Sequence, residues 1–136
     1  MRMTLGIKNN NPFNIRYNPL NKWKGMSGSN KGFCIFQNME YGLRAGIITL
    51  KNYVQKYKLH SVEEIISRYA PSSENLTSNY ISYIRSSLAA RGLDPDYIEY
   101  NRRNFLVMCQ FILLFESFYQ ISEEGLLSII NQFKIK

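Results

Sequence analysis

Glu116 stands at the end of the most apolar stretch of the chain, Phe105-Leu-Val-Met-Cys-Gln-Phe-Ile-Leu-Leu-Phe115, and Ser117, Phe118 and Tyr119 follow it directly. A carboxyl group where a buried helix runs out is poorly hydrated and close to the negative end of the helix dipole. Both effects disfavour its ionised form. An acid that keeps its proton near neutral pH can hand it to a leaving-group oxygen, which is the step that breaks a glycosidic bond. The same residue also reads as a solvated glutamate at a helix end.

The elements that must position this group are mostly helices. Residues 1 to 40 are dense in Asn, Gly, Pro and Ser and predict turns and short strands, with Gly32–Phe36 as the best strand. From Gly42 to about Lys58, Leu43, Ile47, Leu50, Val54 and Tyr57 recur at helical spacing on one face. Ser61 and Glu64 have capping-box spacing and open a helix to Tyr69, which Pro71 ends. A further helix is expected from about Leu76 through Tyr80, Tyr83, Ile84 and Leu88, with Gly92 beyond its end. Asp94-Pro95 reads as a cap followed by a first-turn proline. The stretch from about Asn101 to Phe118 is apolar on all sides, the mark of a central helix with others around it. Ser122, Glu123 and Glu124 start a last helix through Leu126, Ile129, Ile130 and Phe133. The fold class is therefore mainly α, of α+β type, with a small N-terminal β or irregular lobe, in one domain spanning residues 1–136.

Composition narrows the function classes. At 136 residues, 45% hydrophobic and 20% charged, the chain can build a core without disulfides or a structural metal. Cys34 and Cys109 sit in apolar surroundings and read as small hydrophobes, and no zinc or redox pattern accompanies them. The single histidine, His60, has no ligand cluster beside it, so neither a metal nor another cofactor is expected. The serines lack a nucleophile-elbow pattern. The start, Met-Arg-Met-Thr-Leu-Gly-Ile-Lys, carries no apolar run of a secretory signal, and the run ending at Glu116 is too short to insert in a membrane. Synthesis in the cytoplasm is expected, with delivery elsewhere by release, injection or a virion. A net charge of +7 favours a polyanionic partner. Lys22, Lys24, Lys31, Lys51, Lys56 and Lys58 are scattered, and no nucleic-acid motif goes with them, so nucleic acid is set aside.

Two further segments bear on Glu116. The first is Gly6-Ile-Lys-Asn-Asn-Asn-Pro-Phe-Asn-Ile-Arg16, followed by Trp23 and Gly25, then Phe33 and Phe36. The second contains Gly42, Arg44 and Ala45, and further on come Ala70, Pro71, Glu74, Asn75, Tyr80 and Ile81. In that order these residues resemble a phage-associated family of wall-degrading proteins of lysozyme-like fold, including lytic structural proteins of virions. The family's closing Glu-Asn-Gly becomes Glu116-Ser117-Phe118, a departure after the glutamate, although Glu-Ser is the pair that lytic transglycosylases carry. Residues 10–16 also resemble the Asn-Asn-x-Phe-Gly-Ile-Lys string of cell-wall glucosaminidases, whose catalytic glutamate lies upstream of it. Here the first acid is Glu40, downstream, so a shared architecture implies a circularly permuted order in which Glu116 supplies the acid.

The resemblance implies cleavage of the MurNAc-GlcNAc β-1,4 bond of peptidoglycan glycan strands by a monomer acting at the wall. One glutamate, Glu116, is the acid, with the sugar's 6-hydroxyl giving an anhydro product. A two-carboxylate mechanism would draw on Glu40, Glu74, Asp94, Asp96 or Glu99. Sugar faces call for flat aromatics beside amides, which makes Asn11, Asn14, Arg16, Trp23, Phe36, Tyr80 and Ser117 the candidate substrate contacts. Phe33 and Phe36 also read as core, Trp23 as a packing anchor, Tyr80 as part of a helix face, Arg16 as an ion-pair partner of Glu40, and Glu74 as a helix cap. The other functions open to this chain are a hydrolytic muramidase or glucosaminidase, and a wall-binding or virion structural protein without catalysis.

Overall fold

A computed structural model describes residues 3–71 and 74–136, without the side chains of residues 74 and 75, so the expectations on Ser72, Ser73 and the Glu74 side chain lie outside the described residues. The elements run α1 (Leu5–Lys8), β1 (Met26–Asn30), β2 (Phe33–Phe36), α2 (Met39–Gln55), α3 (Val62–Tyr69), α4 (Glu74–Ala89), α5 (Arg103–Ser117) and α6 (Glu123–Phe133). The protein is mainly helical with one small antiparallel sheet, the α+β class read from its sequence. The chain divides into two compact units. One joins the residues up to Thr49 with Leu113–Lys136, and the other is Leu50–Ile112.

In the first unit β1 and β2 form a hairpin in which Asn30 pairs with Phe33. Its two-residue turn has positive φ at both Lys31 and Gly32, the backbone that lets a tight hairpin follow the strand twist. A bulge between Met26 and Gly28 shifts the register. The short helix α1 lies where the composition predicts only turns and strands. Thr4 caps α1, its Oγ1 accepting from the Ile7 N–H at 3.3 Å.

Helix α2 begins at Met39 and ends at Gln55, with Leu43, Ile47, Leu50 and Val54 buried as the spacing predicts. Tyr57 leaves that face and is 45% exposed, because the Lys56 and Tyr57 N–H groups both turn back to the Asn52 carbonyl and Lys58 adopts positive φ. Gly42 and Gly46 lie one turn apart on α2. A Cβ at Gly42 would run into the Asn10 carbonyl, and one at Gly46 would enter the Phe13 ring, which is fully buried. The two glycines therefore let the helix axis settle directly on the Asn-rich loop.

In the second unit the Ser61–Glu64 capping box forms as its spacing predicts, with the Glu64 N–H donating to Ser61 Oγ and the Ser61 N–H to Glu64 Oε1. These bonds hold the Glu64 carboxyl below its ordinary range, the acceptance from His60 N–H contributing most. Asp94-Pro95 does not start a helix. The Asp96 N–H donates to Asp94 Oδ1, Pro95 O accepts from the Val62 N–H at 2.9 Å, and the Ile98 N–H donates to His60 O at 2.8 Å. Those tertiary bonds pin the segment as a turn against the start of α3. Arg85 reaches Asp96 at 2.7 Å and depresses its carboxyl pKa. Cys109 is fully buried and burial pushes its thiol pKa up, while Cys34 is buried in the first unit; both are free thiols, as the apolar surroundings suggested.

Among the described residues no helix is long and apolar enough to cross a membrane. The contact between Gly46 and Phe13 gives a direct check on packing. Gly46→Ala is expected to lower the unfolding free energy in urea by about 1–3 kcal/mol through overpacking, although alanine favours an isolated helix by about 1 kcal/mol. An unchanged or raised urea midpoint would contradict the close approach.

Candidate active site at the end of α5

The Asn-rich string of residues 9–14 holds four amides, and the first three do three different jobs. Asn9 ends α1 and is 3% exposed; its Oδ1 accepts from Asn30 Nδ2 at 3.2 Å, and its backbone carbonyl accepts from the Phe36 N–H at 2.9 Å. Asn10 takes the left-handed conformation and its Nδ2 donates to Phe36 O at 3.1 Å. Asn11 is fully buried: its Nδ2 donates to Ile15 O at 2.9 Å and Cys34 O at 3.0 Å, and its Oδ1 accepts from the Ile15 N–H at 2.9 Å. Asparagine suits the left-handed turns, and its amide replaces strand partners that the irregular backbone lacks.

Asn14, also left-handed at φ 55°, aims its amide out of this loop. Its Nδ2 donates to Glu116 Oε1 at 2.9 Å and to the Glu116 backbone oxygen at 3.3 Å, across 102 residues of sequence. One amide thus fixes the carboxyl and also caps a carbonyl in the last turn of α5. Glu116 itself is half-buried. Next to it, Ser117 is buried at 1% exposure; its Oγ donates to Pro12 O at 2.8 Å, and its backbone oxygen accepts from Thr4 Oγ1 at 3.1 Å. Gly6 makes room for this, since a Cβ there would collide with Ser117 Oγ and stand 3.0 Å from both Asn11 O and Asn14 Oδ1.

Thr4 and the string Gly6–Asn14 are therefore one constellation with the pair Glu116-Ser117, joined to it by four side-chain hydrogen bonds. Thr4 and Gly6 are the members that residue chemistry did not single out. Thr4 has the only helix-cap side chain before Leu5, which is the signal that was available for it.

The other expected contacts divide. Arg16 is exposed and stacks its guanidinium 5.2 Å over the Phe33 ring; among the described residues it forms no ion pair with Glu40. Trp23 is half-buried, and its shielded Nε1 finds no hydrogen-bond partner among the described residues. Four expectations are corrected. Phe36 is 1% exposed and belongs to the core of the hairpin, and Tyr80 is 3% exposed within the second unit, so neither presents a face to a sugar. Asn11 and Ser117 spend their polar atoms on backbone groups and act as internal braces. Just past the site, burial and then the Glu40 charge push the Tyr119 hydroxyl above its ordinary pKa. Glu40 is exposed in the first turn of α2, where the helix dipole accommodates it.

Of the remaining acids, Asp96 pairs with Arg85, Glu99 faces His60 at 3.6 Å, and Asp94 accepts from the Asp96 N–H. No group of His, Cys, Asp and Glu among the described residues can hold a metal ion.

Comparison with known proteins gives one phage relative. The chain is 40% identical over 83 residues to Protein P5 of Pseudoalteromonas phage PM2, a match covering 58% of this chain and 52% of that protein. The chain thus spans about half the length of the relative it matches. No protein family model matches it.

Because Asn14 contributes both an amide and a left-handed backbone, two substitutions separate the effects. Asn14→Gly keeps the backbone and is expected to cost about 1–2 kcal/mol from the lost hydrogen bonds. Asn14→Ala is expected to cost roughly 1 kcal/mol more, from strain. Equal losses in urea unfolding would show that the φ of Asn14 stores nothing.

Proposed function

We propose that the protein is a peptidoglycan-cleaving glycosidase of lysozyme-like, circularly permuted architecture that works as a lytic transglycosylase with Glu116 as its acid. The observation that carries this is the Asn14–Glu116 hydrogen bond: the asparagine string that resembles wall-degrading enzymes lies against the one carboxyl that ends the apolar helix. In the permuted order the acid comes after the string in sequence and beside it in space.

In this reading Glu116 gives its proton to the glycosidic oxygen as the bond to the anomeric carbon breaks, a contribution of about 10²–10⁴-fold. The oxocarbenium-like centre is supported by the sugar's acetamide. Glu116, now a carboxylate, takes the proton of the 6-hydroxyl as that oxygen bonds to the anomeric carbon, and a 1,6-anhydro end results. Asn14 holds the carboxyl in place through both steps. A second carboxylate is not required, which agrees with Asp94, Asp96 and Glu99 being engaged elsewhere. The +7 charge suits an anionic wall, and likeness to a phage protein suits delivery with a virion or at lysis.

A second reading, a virion or wall-binding protein without turnover, is favoured by one feature: Asn11, Phe36, Tyr80 and Ser117 are withdrawn from solvent, which leaves Asn14, Arg16 and Trp23 as the contacts of the expected set. The two part on purified walls. Wild-type protein is expected to clear them and release anhydro-ended fragments, and Glu116→Gln to lose at least a hundredfold in rate while keeping its circular dichroism and its wall pelleting. Equal clearing by both would remove Glu116 from catalysis; pelleting without clearing by either would establish the binding reading.

A further inference from the structure

We propose that Phe118 is a stacking platform for a saccharide ring, setting the unit beside Glu116; this rests on the glycosidase reading and adds a specificity-determining residue to it. Phe118 follows the last residue of α5 with φ 54°, in the left-handed region that glycine occupies freely and an aromatic residue rarely does. The turn itself is needed. The Phe118 N–H donates to Leu114 O at 3.0 Å and the Tyr119 N–H to Leu113 O at 3.2 Å, which closes the helix end beneath Glu116.

The ring is not needed by that turn. It is 83% exposed and makes no aromatic pair or cation contact among the described residues. Leu20 is as exposed, at 86%, but lies in the loop before β1. Isolated exposed apolar residues are ordinary on protein surfaces; this one is paired with an unfavourable backbone conformation two residues from the candidate acid, where strain is characteristically kept for function. Two residues span at most about 7 Å between Cα atoms, the scale of one pyranose ring. An apolar ring face is the ligand a lone phenyl ring in water recognises, and the saccharide whose linkage Glu116 protonates brings one to this position.

The test compares Phe118→Gly, Phe118→Ala and Phe118→Trp with the wild type, in thermal unfolding and in wall clearing at varied wall concentration. Phe118→Gly is expected to raise the thermal midpoint by several degrees while raising the half-saturating wall concentration about tenfold. The maximal rate stays within about a factor of two. Phe118→Ala should show the same loss of saturation without the gain in stability, and Phe118→Trp should restore saturation. A structural role would move the midpoint down in Phe118→Gly and leave saturation alone. Unchanged half-saturation in both the Gly and Ala variants overturns the platform while leaving the glycosidase reading intact; wild-type protein that neither clears nor pellets walls overturns that reading and the platform with it.

Discussion

The amide of Asn14, giving its hydrogens to the Glu116 carboxyl and to the Glu116 backbone carbonyl, is the constraint on which the first unit depends. It ties a loop near the start of the chain to the last turn of α5. Around it every atom placement narrows the next. Thr4 and Pro12 fix Ser117, Gly6 vacates the volume that Ser117 Oγ fills, and Gly42 and Gly46 let α2 settle onto Asn10 and Phe13. A carboxyl held from its own residue's backbone side has little rotational freedom, which suits the proton-donor role proposed for Glu116.

Features governed by neighbours in sequence were legible. The Ser61–Glu64 box and the Ser122 cap, whose Oγ accepts from the Gly125 N–H at 2.9 Å, depend on contacts three residues apart, and spacing alone announces them. The buried positions of α2 followed from their period. Asp94-Pro95 departs from its expected helix start because a cap and a proline are equally at home in a turn, and hydrogen bonds to residues 60 and 62, which spacing cannot see, decide between them.

The site was legible in part for the same reason. Glu116 and Asn14 stood out as a carboxyl after an apolar run and an amide in a motif, and they meet. Asn11, Phe36, Tyr80 and Ser117 carry the right chemistry for a glycan but are spent inside. An amide that satisfies a buried irregular loop and an amide that greets a sugar have identical composition, and only burial separates them. Phe118 was not legible, because a left-handed φ leaves no trace in sequence when the residue is not Gly or Asn.

The most direct test of this account is a double-mutant cycle in urea on Asn14→Ala and Glu116→Ala. Glu116→Ala keeps the backbone carbonyl that Asn14 also reaches, so the cycle isolates the bond to the carboxyl. A coupling energy of about 1–2 kcal/mol is the predicted result. Losses that add to within about 0.3 kcal/mol would contradict it, and would leave the string and the helix end as neighbours without a shared site.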